Sequence, residues 1–251
     1  MKDEQGNFAK AISAALKAGE QVVVVHGGGP QIDKALIAKG IVSNWIGGFR
    51  VTTQEIFDVV EEVLVNQVGI EVTNTLSKSG INAQAISARQ LPTVIAKRRT
   101  TLIDGTPADL GFVGEVQSVN PTQLLELLAQ GIVPVVAPVS SDEDLTTGLN
   151  VNGDFASAAI AAALKASSLI IMTDVAGIYR NWPDKSSLID SISAVELESI
   201  KSGFAEGMAP KVQAALDALS FGAKAVRIID GTDLNSFASA LAGHGGTLVV
   251  G

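Results

Sequence analysis

The chain has 251 residues, 47% of them hydrophobic, with 25 glycines, 8 prolines and a formal net charge of −8. That length and composition support a compact globular fold, and the acidic balance excludes broad binding to nucleic-acid backbones while permitting a local basic pocket for a small anion. With no cysteine and only His26 and His244, disulfides, thiolate metal sites and multi-histidine metal centres are excluded.

The opening residues 1–6 carry no apolar core of the secretory type, and no apolar run reaches the roughly 20 residues of a membrane span. The expectation is a soluble, cytoplasmic protein that contacts neither membrane nor nucleic acid. Residues 5–18 read as a helix with Phe8, Ile12, Ala15 and Leu16 on one side. Residues 21–26 read as a buried strand, followed by a glycine turn and a helix from Pro30 to about Lys39, where Gly40 stops it. A long helical stretch spans about 53–77, capped by Thr52 or Thr53. Shorter strands at 83–87, 93–97 and 111–119, separated by a turn at 103–107, suggest an antiparallel flap beside the main sheet. Asn120-Pro121 opens another helix, and 132–139 is a buried strand interrupted by Pro134 and Pro138. An almost uncharged helix at 156–166, a strand at 169–173, a helix at 211–219 and strands at 225–229 and 247–250 complete an α/β alternation. The expected fold class is α/β: a three-layer αβα sandwich with a mainly parallel central sheet, in two lobes of one domain, about 1–150 and 151–251.

Several short motifs carry chemistry. His26-Gly27-Gly28-Gly29 directly after a strand lets backbone amides approach a ligand, and the helix behind it offers its positive end to an anion. The same run also suits a plain strand-to-helix turn. An esterase oxyanion hole, which uses a similar run, requires a Gly-x-Ser-x-Gly nucleophile elbow, and the chain has none. Neither a Walker A loop nor Gly-x-Gly-x-x-Gly is present. Arg50 stands just before a helix start and could grip a carboxylate with its bidentate fork, or act as a surface cap. Asn150, Asn152 and Asp154 cluster at the mouth of the uncharged helix, where Asp154 is expected to cap the N-terminus. If this stretch is extended, Asn150 and Asn152 fall on one side. The run from Asp174 to Tyr179 follows a buried strand, as ligand-binding crevices of α/β sheets do. Lys211 sits at a helix N-terminus, where the dipole disfavours a cation unless an anion is bound nearby; a solvated surface lysine is the other reading.

Taken in order, eight segments resemble the acetylglutamate kinases of the amino-acid kinase family: VVVHGGGPQID (23–33), GGFRVT (47–52), GFVGEV (111–116), NVNGD (150–154), AAIAAALKAS (158–167), LIIMTDVAGIY (169–179), GMAPKVQAALDAL (207–219) and IIDG (228–231). The resemblance implies phosphoryl transfer from ATP, with Mg2+ carried by the nucleotide and no protein metal site, to the side-chain carboxylate of N-acetyl-L-glutamate in arginine biosynthesis. It implies that Gly28 and Gly29 donate amides to the substrate and the transferring phosphate, and that Arg50, Asn150 and Asn152 hold the acceptor. Lys211 would neutralise charge on the phosphoryl group, and Asp154 would orient the cations around it. Asp174, Val175, Ala176, Gly177, Ile178 and Tyr179, with Gly203, Phe204 and Ala205, would line the ATP site. A homodimer is the implied assembly.

The family's opening strand and its Lys-x-Gly-Gly motif find no counterpart in residues 2–6, so the expectation is a shortened form lacking one phosphate-contacting lysine. The stretch Ser87-Ala88-Arg89-Gln90-Leu91 also departs from the more polar, glycine-containing segment of the relatives. An aminoadipate-type kinase of lysine synthesis and a non-catalytic ligand-binding remnant are the alternative readings.

Overall fold

The computed structural model describes residues 6–204, 207–233 and 235–251. The expected absence of a Lys-x-Gly-Gly strand falls largely on residues 1–5, outside the described residues. In chain order the elements are α1 (Asn7–Lys17), β1 (Val24–Val25), α2 (Gly29–Ala38), β2 (Trp45–Ile46), β3 (Phe49–Arg50), α3 (Gln54–Val63), α4 (Gly69–Lys78), β4 (Ala83–Ser87), β5 (Val94–Arg98), β6 (Val113–Val119) and α5 (Thr122–Ala129). There follow β7 (Val133–Ala137), β8 (Val139–Ser141), β9 (Gly148–Val151), α6 (Gly153–Ala163), β10 (Leu169–Thr173), β11 (Ser191–Ser193), α7 (Ala194–Ile200), α8 (Ala209–Ser220), β12 (Ala225–Asp230), α9 (Ser236–Leu241) and β13 (Thr247–Val250).

The chain divides into two compact units, Gln21–Ala156 and Ser157–Gly251 joined by the residues up to Glu20. The N-terminal helix thus belongs with the C-terminal half, whereas a division by sequence position alone groups it with residues up to 150. The reason is packing. Helix α1 buries Ala9, Ala11, Ile12 and Ala15 on one face, and Phe8 meets Phe237 of α9 with ring centroids 5.5 Å apart.

In the 21–156 unit, β1, β7 and β4 form a parallel sheet in that order. Segment 83–87 is therefore a strand of this sheet and no part of the antiparallel flap. The flap itself is larger than expected: β5 and β6 pair antiparallel and close with β9 and β8 into a small barrel. Pro138, with no N–H to donate, separates β7 from β8. The stretch read as one helix over 53–77 is α3 and α4 joined by a π-helical turn at Leu64–Val68. Thr53 caps α3, accepting a hydrogen bond from the Ile56 amide at 3.3 Å. Ile56, Phe57, Val60, Val63 and Leu64 recur at helical spacing and pack with Ile32 and Leu36 of α2 and Val139 of β8.

In the other unit the sheet order is β10-β12-β13-β11. Its β10–β12 and β11–β13 pairs are parallel, and β12–β13 is antiparallel. Among the described residues the 21–156 unit thus holds the three-stranded sheet, the β2–β3 hairpin and the small barrel, and the other unit holds one four-stranded sheet. The short elements β2, β3, β9, β11, α7 and α9 have no clear period in sequence and are defined by their partners.

Candidate functional site

The strand-end loop of the 21–156 unit begins at His26, whose amide continues the ladder by donating to the Val136 carbonyl at 3.1 Å. A Cβ at Gly28 would lie 2.7 Å from Leu64 Cδ2 and 3.2 Å from Val68 Cγ2, so the π-helical turn lies against this loop and a side chain at Gly28 would require Leu64 to shift. Gly27 and Gly29, by contrast, have nothing within 4 Å of a would-be Cβ. No side chain caps α2, which starts at Gly29 with a proline in its first turn. The loop therefore offers glycine backbone and a positive helix end on an open side, a suitable cradle for an anion.

The Asn152-Gly153 corner lies beside this loop: a Cβ on Gly153 would sit 3.8 Å from the His26 carbonyl oxygen. Asn150 is in β9, Val151 turns inward at 2% exposure, and Asn152 follows, so the extended alternation is present. Asn152 Oδ1 accepts the Asp154 amide at 2.8 Å. The cap of α6 is thus Asn152, and Asp154 sits in the first turn; the expected cap at Asp154 is corrected by one short side chain reaching forward. Asn150 Nδ2 donates to Thr52 Oγ1 at 3.1 Å, and that hydroxyl donates to the Arg50 carbonyl at 2.8 Å. Arg50 and Asn150, 100 positions apart in sequence, are joined through Thr52.

Arg50 is no surface cap. Its side chain is 4% exposed. Nη1 donates to Asp33 Oδ1 at 2.8 Å and to Ser43 Oγ at 2.6 Å, and the guanidinium lies 4.5 Å from the ring centre of Trp45. Nη2 is buried without a hydrogen-bond partner. His26 is the other notable group: it is 8% exposed, its Nδ1 faces the Gly27 carbonyl at 3.1 Å, and Nε2 has no partner. Burial lowers its pKa below the ordinary histidine value, against a smaller opposing effect of the Gly27 hydrogen bond, which keeps the ring neutral near pH 7. Sequence reasoning singled out Thr52 only as a candidate helix cap and passed over Asp33 and Ser43. Only Asp33 leaves a trace, standing four residues after Gly29 and so on the same face of α2.

In the second unit, the parallel pair β10–β12 aligns Thr173 with Asp230 at the carboxyl ends of both strands. The Gly231 amide donates to the Thr173 carbonyl at 2.7 Å, and Asp230 Oδ1 accepts from the Thr232 amide and hydroxyl at 2.7 and 2.6 Å. Burial works against ionisation of Asp230, but the hydroxyl and amide of Thr232 and the amide of Asp233 outweigh it and lower its pKa. Asp174 is exposed and receives the Thr173 hydroxyl at 3.1 Å; Val175 and Ala176 are half-buried. Gly177 and Ile178 are buried: the Ile178 side chain is fully enclosed and its amide donates to Thr247 Oγ1 at 2.8 Å. A Cβ on Gly177 would sit 2.6 Å from that same oxygen. Tyr179 is half-buried and meets Trp182 edge-on at 5.2 Å. Gly203 ends the short 3-10 turn Lys201–Gly203, Phe204 follows it, and Ala205 lies outside the described residues. Lys211 is half-buried in the first turn of α8, a helix with no side-chain cap and Pro210 beside the lysine. Among the described residues no group of three or more His, Cys, Asp or Glu side chains is arranged to hold a metal ion, and no helix is long and apolar enough to cross a membrane.

The sequence pattern of the amino acid kinase family matches residues 1–230. An acetylglutamate kinase of Arthrobacter sp. (strain FB24) is 47% identical over 229 residues, covering 89% of this chain and 74% of the relative. One from Corynebacterium glutamicum (strain ATCC 13032) is 39% identical over 244 residues, covering 97% of this chain and 83% of the relative. Among solved structures, the smu.665 protein of Streptococcus mutans UA159 superposes with a TM-score of 0.79 at 27% identity, covering 96% of this chain and 91% of that one. Carbamate kinase from Giardia lamblia bound to AMP-PNP superposes with a TM-score of 0.71 at 19% identity, covering 96% and 87% of the two chains. The α/β sandwich class expected of the sequence is the class of these neighbours. On these grounds the chain belongs to the amino acid kinase family, alongside its acetylglutamate kinases.

Proposed function

We propose that this chain transfers the terminal phosphoryl group of ATP to the side-chain carboxylate of N-acetyl-L-glutamate, forming an acyl phosphate for arginine biosynthesis. The observation that carries the reading is Arg50, a buried cation with a donor left unpartnered and joined through Thr52 to Asn150. The relatives at 39% to 47% identity, all acetylglutamate kinases, supply the acceptor's identity.

In this reading Arg50 Nη2 receives the acceptor's α-carboxylate, and Asn150 and the Nδ2 end of Asn152 contact its amide region. Gly28 and Gly29 offer backbone amides to the reacting carboxylate and the phosphoryl oxygens. The acceptor oxygen attacks phosphorus as the bond to the bridging oxygen of ADP breaks. The attacking carboxylate is already ionised near pH 7, so no general base is needed. What the protein must supply is alignment and cations matched to the transferring group. Lys211, at an uncapped helix start, supplies one such cation, and Asp154 orients the groups around it. Asp174, Val175, Ala176 and Tyr179 line the nucleotide side, with Gly203, Phe204 and Ala205, and Mg2+ arrives on the phosphates of ATP. Gly177 and Ile178 hold that side from behind. The reading extends to a homodimer, the assembly implied by the resemblance, and to the cytoplasmic location expected of the sequence; light scattering in solution checks the assembly.

Hydroxylamine trapping of the acyl phosphate tests the activity. A hydroxamate that requires both MgATP and N-acetyl-L-glutamate is expected. None from a chain shown folded by circular dichroism overturns the reading. A higher kcat/KM with an aminoadipate-type acceptor would move the substrate by about a methylene, a discrimination that pockets of this kind make only modestly.

A further inference from the structure

A guanidinium has five N–H donors, and a site that needs it to meet a carboxylate must fix which donors face the ligand. Arg50 is fixed from several directions. Asp33 of α2 and Ser43 of the following loop both take hydrogen bonds from Nη1, at 2.8 and 2.6 Å. The Trp45 ring faces the guanidinium, with 4.5 Å between their centres, and Trp45 stands directly opposite Arg50 in the β2–β3 hairpin. The Arg50 carbonyl is held by Thr52. Nη2, by contrast, is buried and without a partner.

Such an arrangement is unfavourable for a structural salt bridge. A buried arginine placed only to stabilise the fold should have its donors occupied, because a buried charged group left short of a hydrogen bond is destabilising. Asp33 is also an unequal partner: its side chain is 49% exposed whereas that of Arg50 is 4% exposed. The carboxylate reaches inward from the face of α2 that carries Gly29, four residues earlier, so it links the glycine loop's helix to the arginine.

We infer that Asp33 and Ser43 are positioning residues for the acceptor: together they occupy Arg50 Nη1, holding the guanidinium so that Nη2 is presented to a substrate carboxylate. The inference rests on the proposed role of Arg50 as the acceptor's carboxylate partner. Asp33 neutralises the buried cation in the unliganded protein, and Ser43 fixes its rotation. Trp45 closes one face of the guanidinium, restricting a ligand to approach at its edge. The acceptor's carboxylate then completes a hydrogen-bond set already formed on the other side.

The test is calorimetric titration of N-acetyl-L-glutamate and, separately, of MgATP into the whole chain and its variants. Asp33→Asn keeps the shape of Asp33 and removes its charge; Ser43→Ala removes only the hydroxyl. Both are expected to weaken acceptor binding, Asp33→Asn by roughly tenfold or more, the scale of one misplaced charged hydrogen bond. MgATP affinity should be unchanged, and Asp33→Glu should recover part of the loss. The decisive measurement is the double-mutant cycle. If Asp33 acts through Arg50, adding Asp33→Asn to Arg50→Ala weakens acceptor binding no further. Additive losses, or a matched loss of MgATP affinity, would overturn the positioning role. If Arg50→Ala alone leaves acceptor binding intact, or the unaltered chain binds no acceptor, the underlying reading of Arg50 fails and the inference fails with it. Should Asp33→Asn not fold, Ser43→Ala carries the same cycle with Arg50→Ala.

Discussion

A buried guanidinium is stable when its donors are occupied, and Arg50 meets that condition on one side only. Lys211, in the first turn of α8, sits where a helix dipole favours an anion. These two cations belong to different units and should fail differently. Arg50→Ala is expected to raise the acceptor KM by about tenfold to a hundredfold with a small effect on kcat, as loss of a ground-state contact does. Lys211→Ala is expected to lower kcat by about a hundredfold or more, the scale of removing a donor that serves the transition state. Steady-state kinetics with each substrate varied in turn separates the two, and equal small effects would count against both roles. His26 makes a third residue-scale prediction. Its folded pKa is lowered by burial, so below about pH 6.5 the unfolded chain takes up a proton that the folded chain refuses. The corresponding stability is fully present above that pH and is lost as pH falls toward the folded pKa. Urea midpoints should therefore decline as pH falls below about 6.5, and His26→Gln should flatten that slope. A variant with an unchanged slope would show that His26 is solvated.

At the scale of elements, the α3–α4 segment links the core to the glycine loop. Its apolar spacing marks a helix plainly, but the π-helical turn at Leu64–Val68 leaves no sequence signature. Leu64 and Val68 of that turn both lie against Gly28, 36 and 40 residues earlier in the chain. Thr53 anchors the front of α3 through the Ile56 amide. Thr53→Ala should cost about 0.5–2 kcal/mol in chemical unfolding, with little change in substrate affinity, since its hydroxyl is engaged with the Ile56 amide of α3. A large loss of acceptor binding without loss of stability would contradict that separation. The segment at 83–87 is instructive in a different way. Its residues Ala-Gln-Ala-Ile-Ser suit either an edge of a flap or a strand of a parallel sheet, and only pairing with β7 assigns it to the latter.

For the whole molecule, the carboxylates that tie its loops are spread over both units. Asp104 and Asp142 accept amides and hydroxyls of Thr106 and of Thr146 and Thr147 in one; Asp184 accepts the hydroxyl and amide of Ser186 in the other. All three pKa values are lowered by these hydrogen bonds, chiefly the amides of Thr106 and Thr147 and the Ser186 hydroxyl. Their stabilisation is present above the ordinary carboxylate range, near pH 4, and disappears as pH falls through the lowered values. Thermal unfolding is therefore expected to show a second decline below about pH 4, distinct from the histidine step above it. A single transition centred near pH 6 would exclude a contribution from these turns.

The sequence by itself determined the α/β class, the strand-to-helix glycine loop, the order of the motifs and the residue types that can handle a phosphoryl group. These are local properties: hydrophobic period, glycine and proline placement, and charge at helix starts act over a few residues and can be read in order. Tertiary structure alone decided the rest. It placed α1 with the C-terminal half, turned Gly177 and Ile178 inward, and buried Arg50 between Asp33, Ser43 and Trp45. Each of those outcomes depends on which distant group fills a space or accepts a proton, and such partners are chosen only when the chain has closed on itself.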